Sequence, residues 1–177
     1  MKSVPGRSGI RQRLWRAGLC ALLTVSAAAP MAAHARTFPE PPYLDDRSTA
    51  VAVVESLYNA INRHELTRAY SYWGQDSDVG SFDKFVDGYK GTIRTHLYTG
   101  TVTSEGAAGS VYYSVPVAVR TVNKDGTTVV FAGCYTLRLA DPKIQAVPPF
   151  RPMHIVSGKL LRAKGRTSQA VPNSCPN

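Results

Sequence analysis

With 177 residues, 44% of them hydrophobic, the chain is long enough to bury the core of one domain without metal or disulfide support. A formal net charge of +9 would suit a nucleic-acid partner, but five of the 21 basic residues and none of the 12 acidic residues fall in the first 35 positions. The rest of the chain carries +4, an excess that the basic residues between positions 159 and 166 account for. A nucleic-acid partner therefore loses its main support.

Residues 1–35 have the pattern of a signal peptide. A basic segment without acidic residues precedes Ala17 to Ala29, an apolar run shorter than the roughly 20 residues that span a bilayer. Ala33-His34-Ala35 then places small residues where a cleavage site needs them. We predict cleavage after Ala35 and a periplasmic or secreted protein with no stable membrane span after processing. The alternative is an uncleaved membrane anchor.

Two cysteines, Cys134 and Cys175, follow the predicted leader. In an oxidising compartment an even pair favours a disulfide, which we predict over two free thiols. The bond would close a loop of about 42 residues and restrict the unfolded chain by about 4 kcal/mol in the entropy model. A catalytic cysteine is the weaker interpretation, because nothing in the sequence places a histidine beside Cys134.

Helical periodicity dominates the first half of the mature chain. Residues 36–44 contain three prolines, which favour an extended lead-in rather than a packed element. Apolar residues then recur at helical spacing from Thr49 to Asn62, from Leu66 to Trp73 and from Phe82 to Tyr89. Ser81 is the candidate N-cap of the last of these. The sequence thus predicts three helices.

The second half alternates with the period of two that is typical of strands. We predict a first strand from Ile93 to Val102, with Thr103 to Gly109 as the loop after it. Ser110 to Leu139 is predicted to be a long antiparallel hairpin with its turn at Asn123-Lys124-Asp125-Gly126, because Asp-Gly supplies the positive φ of a tight turn. One face of this hairpin is heavily apolar and would pack on the helices.

Four prolines between Asp141 and Pro152 predict an irregular crossing, followed by a last strand from Met153 to Leu161 and a polar C-terminal tail at residues 163–177. Three helices followed by about four antiparallel strands predict an α+β fold, with one domain over residues 45–162. No repeat, low-complexity tract or second domain is visible.

The face of the hairpin opposite the apolar row, which we call the outer face, carries only Arg120 and Arg138 as charges. An open antiparallel sheet normally shows water a polar face, so we expect something to cover this one. The candidates are a second copy of the chain, an envelope protein, or the C-terminal tail if Cys134 holds Cys175 there.

Several packing positions match one known superfamily, and they extend over roughly Asp45 to Arg162. They are Tyr58-Asn59-Ala60-Ile61, Glu65-Leu66, Ala69, Trp73, Phe85, Tyr89 and the hairpin around Val115 and Phe131. In these residues the chain resembles the nuclear-transport-factor-two-like superfamily, the cystatin-like cone of SnoaL and ketosteroid-isomerase type. The stretch from Phe131 to Thr136 and the segment Pro148-Pro149-Phe150-Arg151-Pro152 are also similar to a group of small exported bacterial proteins of no assigned function.

The resemblance implies helices packed in the concave face of a curved sheet, with an interior that can bind a small ligand. Members include isomerases and dehydratases as well as non-catalytic accessory domains, so the fold does not settle function. The resemblance implies four candidate ligand-binding residues: Tyr89, His96, Tyr113 and Tyr135. Of these, His96 would face water if Thr95 and Leu97 face inward.

A proton-transfer enzyme needs a base within reach of its substrate and a donor for the developing oxyanion, and no inward carboxylate can be matched here. The sequence has no helical His pair, close Cys pair, phosphate loop or nucleophile elbow, so we predict no catalytic residue, no metal ligand and no cofactor. The favoured function is an exported binding or scaffolding domain, for a small apolar ligand or an envelope protein. The alternatives are a cofactor-independent isomerase or dehydratase that uses His96 or an aspartate near Asp87, and a membrane-tethered assembly factor.

Overall fold

The structure, a computed structural model, describes residues 38–176. The elements in this range are α1 (Ala50–Asn62), α2 (Leu66–Tyr70), α3 (Phe82–Tyr89), β1 (Thr92–Thr99), β2 (Thr103–Ala107), β3 (Ser110–Asn123), β4 (Thr128–Ala140) and β5 (His154–Ala163). The predicted α+β fold, with its three helices, is therefore confirmed, and the sheet has one strand more than expected. The predicted leader and its cleavage site lie outside the described residues.

Helix α1 is the central element of the core. Its N-cap is Thr49, whose hydroxyl oxygen accepts a hydrogen bond from the backbone N–H of Ala52. The side chains of Val53, Leu57 and Ile61 are all essentially inaccessible to solvent. They recur at intervals of four residues, so the apolar stripe predicted from the sequence is the buried stripe of the helix.

All five strands belong to one open antiparallel sheet, in the order β1-β3-β4-β5, with β2 also paired to β3. The predicted hairpin forms its centre, since β3 pairs with β4 along almost its whole length, with Val119 opposite Phe131. Gly126 has a φ of +82° in the turn, as the Asp-Gly pair predicted. The inner face of the hairpin packs on the helices, and Val115, Val117 and Leu137 are fully buried there.

The prediction of a loop from Thr103 to Gly109 was wrong for most of that segment. Thr103–Ala107 forms β2, which pairs with Ser110 to Ser114 of β3 and continues the sheet edge beyond β1. All five residues of β2 are exposed, so the strand lacks the alternation of apolar residues that reveals a half-buried strand. Its turn is formed by Ala108 and Gly109, both with positive φ.

Cys134 and Cys175 form the predicted disulfide, with their Cα atoms 5.8 Å apart. The bond fastens the C-terminal segment over the outer face, where Thr167 is buried. A side chain at Gly100 would meet Val171 of the tail at 3.0 Å and Pro116 of β3 at 3.1 Å. The C-terminal tail, which is one of the three candidates for covering this face, therefore lies over its middle. A second copy or an envelope partner on the rest of it stays a prediction.

Residues 38–44 of the proline-rich lead-in form no helix or strand, and they are fixed to the domain. The carbonyl oxygens of its three prolines accept hydrogen bonds from the side chains of Arg94, Arg63 and Asn59. The donors lie on α1, on the residue that follows α1, and on β1. The lead-in is therefore packed against the domain, although the sequence predicted only a spacer. None of the helices in residues 38–176 has the length and apolar character needed to cross a membrane.

Candidate functional site

A cavity of about 570 Å³ lies between α3 and the inner face of the sheet. We call it the cone cavity. Six aromatic side chains line it, namely Tyr58, Trp73, Phe85, Tyr89, Phe131 and Tyr135. Gly88 on α3 also faces this space, and nothing lies within 4 Å of the position that its Cβ would occupy. The wall of the cavity thus combines these aromatic rings with six polar or charged side chains, those of Asp78, Lys84, Thr92, Thr121, Asn123 and Arg162.

The polar groups deep in the cavity are phenol hydroxyls. The hydroxyl oxygens of Tyr58 on α1 and Tyr135 on β4 are 2.7 Å apart and share a buried hydrogen bond. The two rings meet edge to face with their centroids 6.3 Å apart, and Trp73 packs against Tyr135 in the same manner at 5.8 Å. Tyr89 of α3 completes the group, so two helices and one strand supply the three phenols.

Burial keeps these phenols protonated. Burial raises the pKa of Tyr58 well above the ordinary value of 10.0, and the neighbouring charge of an ionised Tyr135 would raise it further. Burial likewise raises the pKa of Tyr89 and raises that of Tyr135 to about 12, although the hydrogen bond from Tyr58 lowers the latter. At neutral pH the three phenols are protonated and cannot act as tyrosinate bases. Because one proton is used in the bond between Tyr58 and Tyr135, two hydroxyl protons of the group are left to donate to a ligand.

We expect the phenols of the cone cavity to ionise only in strongly alkaline solution. Because the pKa of Tyr135 is raised from 10.0 to about 12 by folding, its contribution to stability is complete below pH 10 and is lost as the pH rises through about 12. The measurement is the ultraviolet absorbance of tyrosinate against pH. Tyr135→Phe should remove a step at about pH 12 from this titration. A loss near pH 10 in this variant would contradict the assignment.

Charged side chains occur where the cavity opens to solvent. The mouth is defined here by the exposed residues Asp78, Lys84 and Arg162, all of which line the cavity. The Asp78 carboxylate accepts hydrogen bonds from the Ser157 hydroxyl at 2.7 Å and from the backbone N–H of Gly158 at 3.3 Å. It is therefore held against β5 rather than directed at the phenols.

The structure brings together two of the four candidate ligand-binding residues. Tyr89 and Tyr135 both line the cone cavity, whereas Tyr113 packs at the edge of the core, opposite Leu137, and does not line it. His96 lies opposite Arg120 on the outer face.

The position of His96 follows from its neighbours, because Thr95 is buried and Leu97 packs on the core, and side chains alternate along a strand. Burial, followed by the charges of Arg120 and Arg94, lowers the pKa of His96. The two aspartates of α3, Asp83 and Asp87, are exposed and do not line the cavity either.

A second concave region, of about 660 Å³, lies between the proline-rich crossing and the segment that follows α2. At its edge Asp76 accepts hydrogen bonds from Arg138 at 2.9 Å and from Nε2 of His154 at 3.2 Å, while Nδ1 of His154 faces the carbonyl oxygen of Pro152 at 2.9 Å. Burial raises the pKa of the Asp76 carboxyl, but the hydrogen bond from Arg138 and the nearby positive charges outweigh it and lower the pKa overall.

Both ring nitrogens of His154 thus face oxygen atoms of the protein, those of Pro152 and Asp76. The arrangement ties the segment after α2 to the sheet. Among residues 38–176, no three His, Cys, Asp or Glu side chains are grouped so that they could hold a metal ion.

No protein-family model matches the chain, and no curated protein matches it. Among solved structures, it is similar to a proposed aromatic ring hydroxylase from Novosphingobium aromaticivorans DSM, with 14% identity and a TM-score of 0.49 over 67% of this chain and 93% of that one. It is also similar to the beta subunit of a proposed aromatic-ring-hydroxylating dioxygenase from Novosphingobium aromaticivorans DSM 12444, with 16% identity and a TM-score of 0.45 over 71% and 95%. A hexachlorocyclohexane dehydrochlorinase (LinA) type 2 matches with 13% identity and a TM-score of 0.41 over 66% and 90%. Likenesses at this level assign neither a family nor a reaction.

Proposed function

We propose that this protein is a non-catalytic binding domain that holds a small, largely apolar ligand in the cone cavity. The observation that carries the proposal is the aromatic wall of the cavity, combined with phenol hydroxyls that stay protonated at neutral pH. Such a site offers aromatic contacts to the rings of a ligand and hydrogen bonds to its polar atoms. Its volume falls in the range of roughly 300 to 1,000 Å³ that is typical of small-molecule sites.

The geometry favours binding over proton transfer because a base is not found beside the phenols. Asp78 is the carboxylate that lines the cone cavity in the described part of the chain, and it is exposed at the mouth with two hydrogen bonds to β5. The isomerase or dehydratase alternative would require Asp78 to leave these partners and reach a substrate. Proton exchange from a bound ketone that is lost in Asp78→Asn would favour that alternative.

We also propose membership of the nuclear-transport-factor-two-like superfamily, supported by three helices followed by a curved antiparallel sheet. Export to the periplasm or beyond is part of the proposal. The disulfide is compatible with an oxidising compartment, although it does not identify one. N-terminal sequencing of the exported protein should begin at Arg36, and a sequence that retains residues 17–29 would contradict export by cleavage.

The binding proposal can be tested with N-phenyl-1-naphthylamine, a neutral aromatic probe that fluoresces in apolar surroundings. Gly88→Leu adds a side chain that projects into the cone cavity from α3, where leucine is also the better helix former. Gly106→Leu is the matched control, because this glycine of β2 also has open space around its Cβ but does not line the cavity.

We expect the wild type and Gly106→Leu to bind the probe with the same Kd, and Gly88→Leu to bind it at least about tenfold more weakly, which corresponds to about 1.4 kcal/mol. Circular dichroism and urea unfolding establish that both variants fold. If Gly88→Leu is folded and binds the probe as well as the wild type does, the cone cavity is not the binding site. If the wild type does not bind the probe at all, the proposed function is wrong.

A further inference from the structure

The mouth of the cone cavity is positively charged. Lys84 projects from α3 on one side, and Arg162 projects from β5 on the other. Arg162 is in register with Phe131 and lies two residues beyond Leu160, so it belongs to the inner face of the sheet and continues the cavity wall outward. Two cations from different elements therefore flank one opening.

Neither cation is neutralised within residues 38–176, where Lys84 and Arg162 take part in no salt bridge. The acidic residue of the mouth, Asp78, already accepts two hydrogen bonds from β5. Asp83 and Asp87 are on α3 but do not line the cavity. The opening thus combines an interior that contains six aromatic rings with an edge that carries two cations and one carboxylate, and hence a net positive charge.

We propose that the ligand of the cone cavity is an amphipathic organic acid, such as an aromatic carboxylic acid. This inference rests on the proposed function and specifies its ligand class. The ring of the ligand lies among Phe85, Tyr89 and Phe131, and its anionic group lies between Lys84 and Arg162. A guanidinium matches the two oxygens of a carboxylate, and the ammonium group of a lysine adds a second positive charge.

The orientation follows from the cost of burying charge. An ionised group placed deep in the cavity would lose its hydration and would gain only phenol hydrogen bonds, whereas at the mouth it keeps water and meets two cations. A neutral apolar ligand of the same size would make the aromatic contacts but not the charged ones. Loss of the two cations should therefore weaken binding of the anionic ligand but not binding of the neutral one.

The test uses two fluorescent probes with the same ring systems: 8-anilinonaphthalene-1-sulfonate, which is an anion, and N-phenyl-1-naphthylamine, which is neutral. The variant is Lys84→Gln combined with Arg162→Gln. The control is Lys159→Gln, which removes a charge from the outer side of β5, opposite Cys134. Gly88→Leu establishes that each probe is in the cone cavity.

We expect the double variant to bind the sulfonate about tenfold more weakly, because each exposed cation contributes roughly two- to fivefold. Its Kd for the neutral probe should stay within about twofold of the wild-type value, and Lys159→Gln should change neither Kd. Raising the salt concentration should weaken binding of the sulfonate alone.

If the neutral probe still binds to the wild type, three results would overturn the inference. They are a sulfonate Kd that does not change in the double variant, equal weakening of both probes, and sulfonate binding that persists in Gly88→Leu. In each of these cases the proposed function stands if Gly88→Leu abolishes binding of the neutral probe. If neither probe binds to the wild type, the proposed function and the inference fail together.

Discussion

Replacing Cys134 and Cys175 with alanine is expected to lower the free energy of unfolding by about 4 kcal/mol. The two residues are 41 positions apart in the sequence, so their bond removes much conformational freedom from the unfolded chain. The C-terminal segment would also be released from the outer face, where it covers Pro116 and Ala118. Urea denaturation of the wild type and the double variant measures the difference.

Reduction provides the matched control for this prediction. Dithiothreitol should bring the stability of the wild type down to that of the double variant and should leave the variant unchanged. Limited digestion should then cleave both proteins faster after Lys164 or Arg166, the exposed basic residues at the start of the tail. A double variant as stable as the oxidised wild type would show that the bond does not hold the tail to the fold.

Gly133→Ala is expected to destabilise the protein by about 3 kcal/mol or more. Gly133 lies in the middle of β4, on the inner face, opposite Val117 of β3 and Leu160 of β5. A methyl group there would overlap the carbonyl oxygen of Lys159 and lie 2.9 Å from the Cα of Leu160. These are backbone atoms, so the clash can be relieved only by moving β5 away from β4, with loss of their ladder hydrogen bonds.

Gly106→Ala is the control for this substitution, because Gly106 is also a strand glycine but has no atom within 4 Å of its Cβ position. We expect its free energy of unfolding to stay within about 0.5 kcal/mol of the wild-type value. Equal stabilities of Gly133→Ala and Gly106→Ala would mean that β4 and β5 are not as closely apposed as described. The measurement is again urea unfolding, with a smaller soluble yield expected for Gly133→Ala.

The central hairpin was predictable because three independent signals agree in it. Apolar residues, four valines and Tyr113, alternate from Val111 to Val119, β4 has a matching apolar row, and Asp125-Gly126 forms the turn between them. These signals are local, and a register shift by one residue would expose every core side chain of the strand. Sequence alone therefore determines both the pairing and the buried face.

β2 could not be predicted, because its stability comes from backbone pairing rather than from side-chain burial. All of its residues are exposed, and one of them is Gly106, which has a low strand propensity. Ala108 has a φ of +46° in its turn, a conformation unusual for alanine that gives no sequence signal. The strand forms because the first half of β3 presents a free edge beside it.

The cone cavity was only partly predictable. Tyr89 and Tyr135 were candidates through the resemblance. Tyr58 lies on the apolar stripe of α1, and Trp73 was assigned to a helical stripe although α2 ends at Tyr70, and such stripes cannot be distinguished from ordinary core packing by sequence. The hydrogen bond between Tyr58 and Tyr135 joins residues 77 positions apart, and such a distance is fixed by tertiary packing alone. Tertiary packing likewise places Lys84 and Arg162 at the same cavity mouth.

The most direct test of the binding site is a crystal structure of the protein grown with N-phenyl-1-naphthylamine. We expect density for the naphthalene ring inside the cone cavity, against Phe85, Tyr89 and Phe131, with the amine nitrogen towards the phenol hydroxyls. A cone cavity closed by its own side chains, with the probe absent or on the outer face, would contradict the proposed binding site.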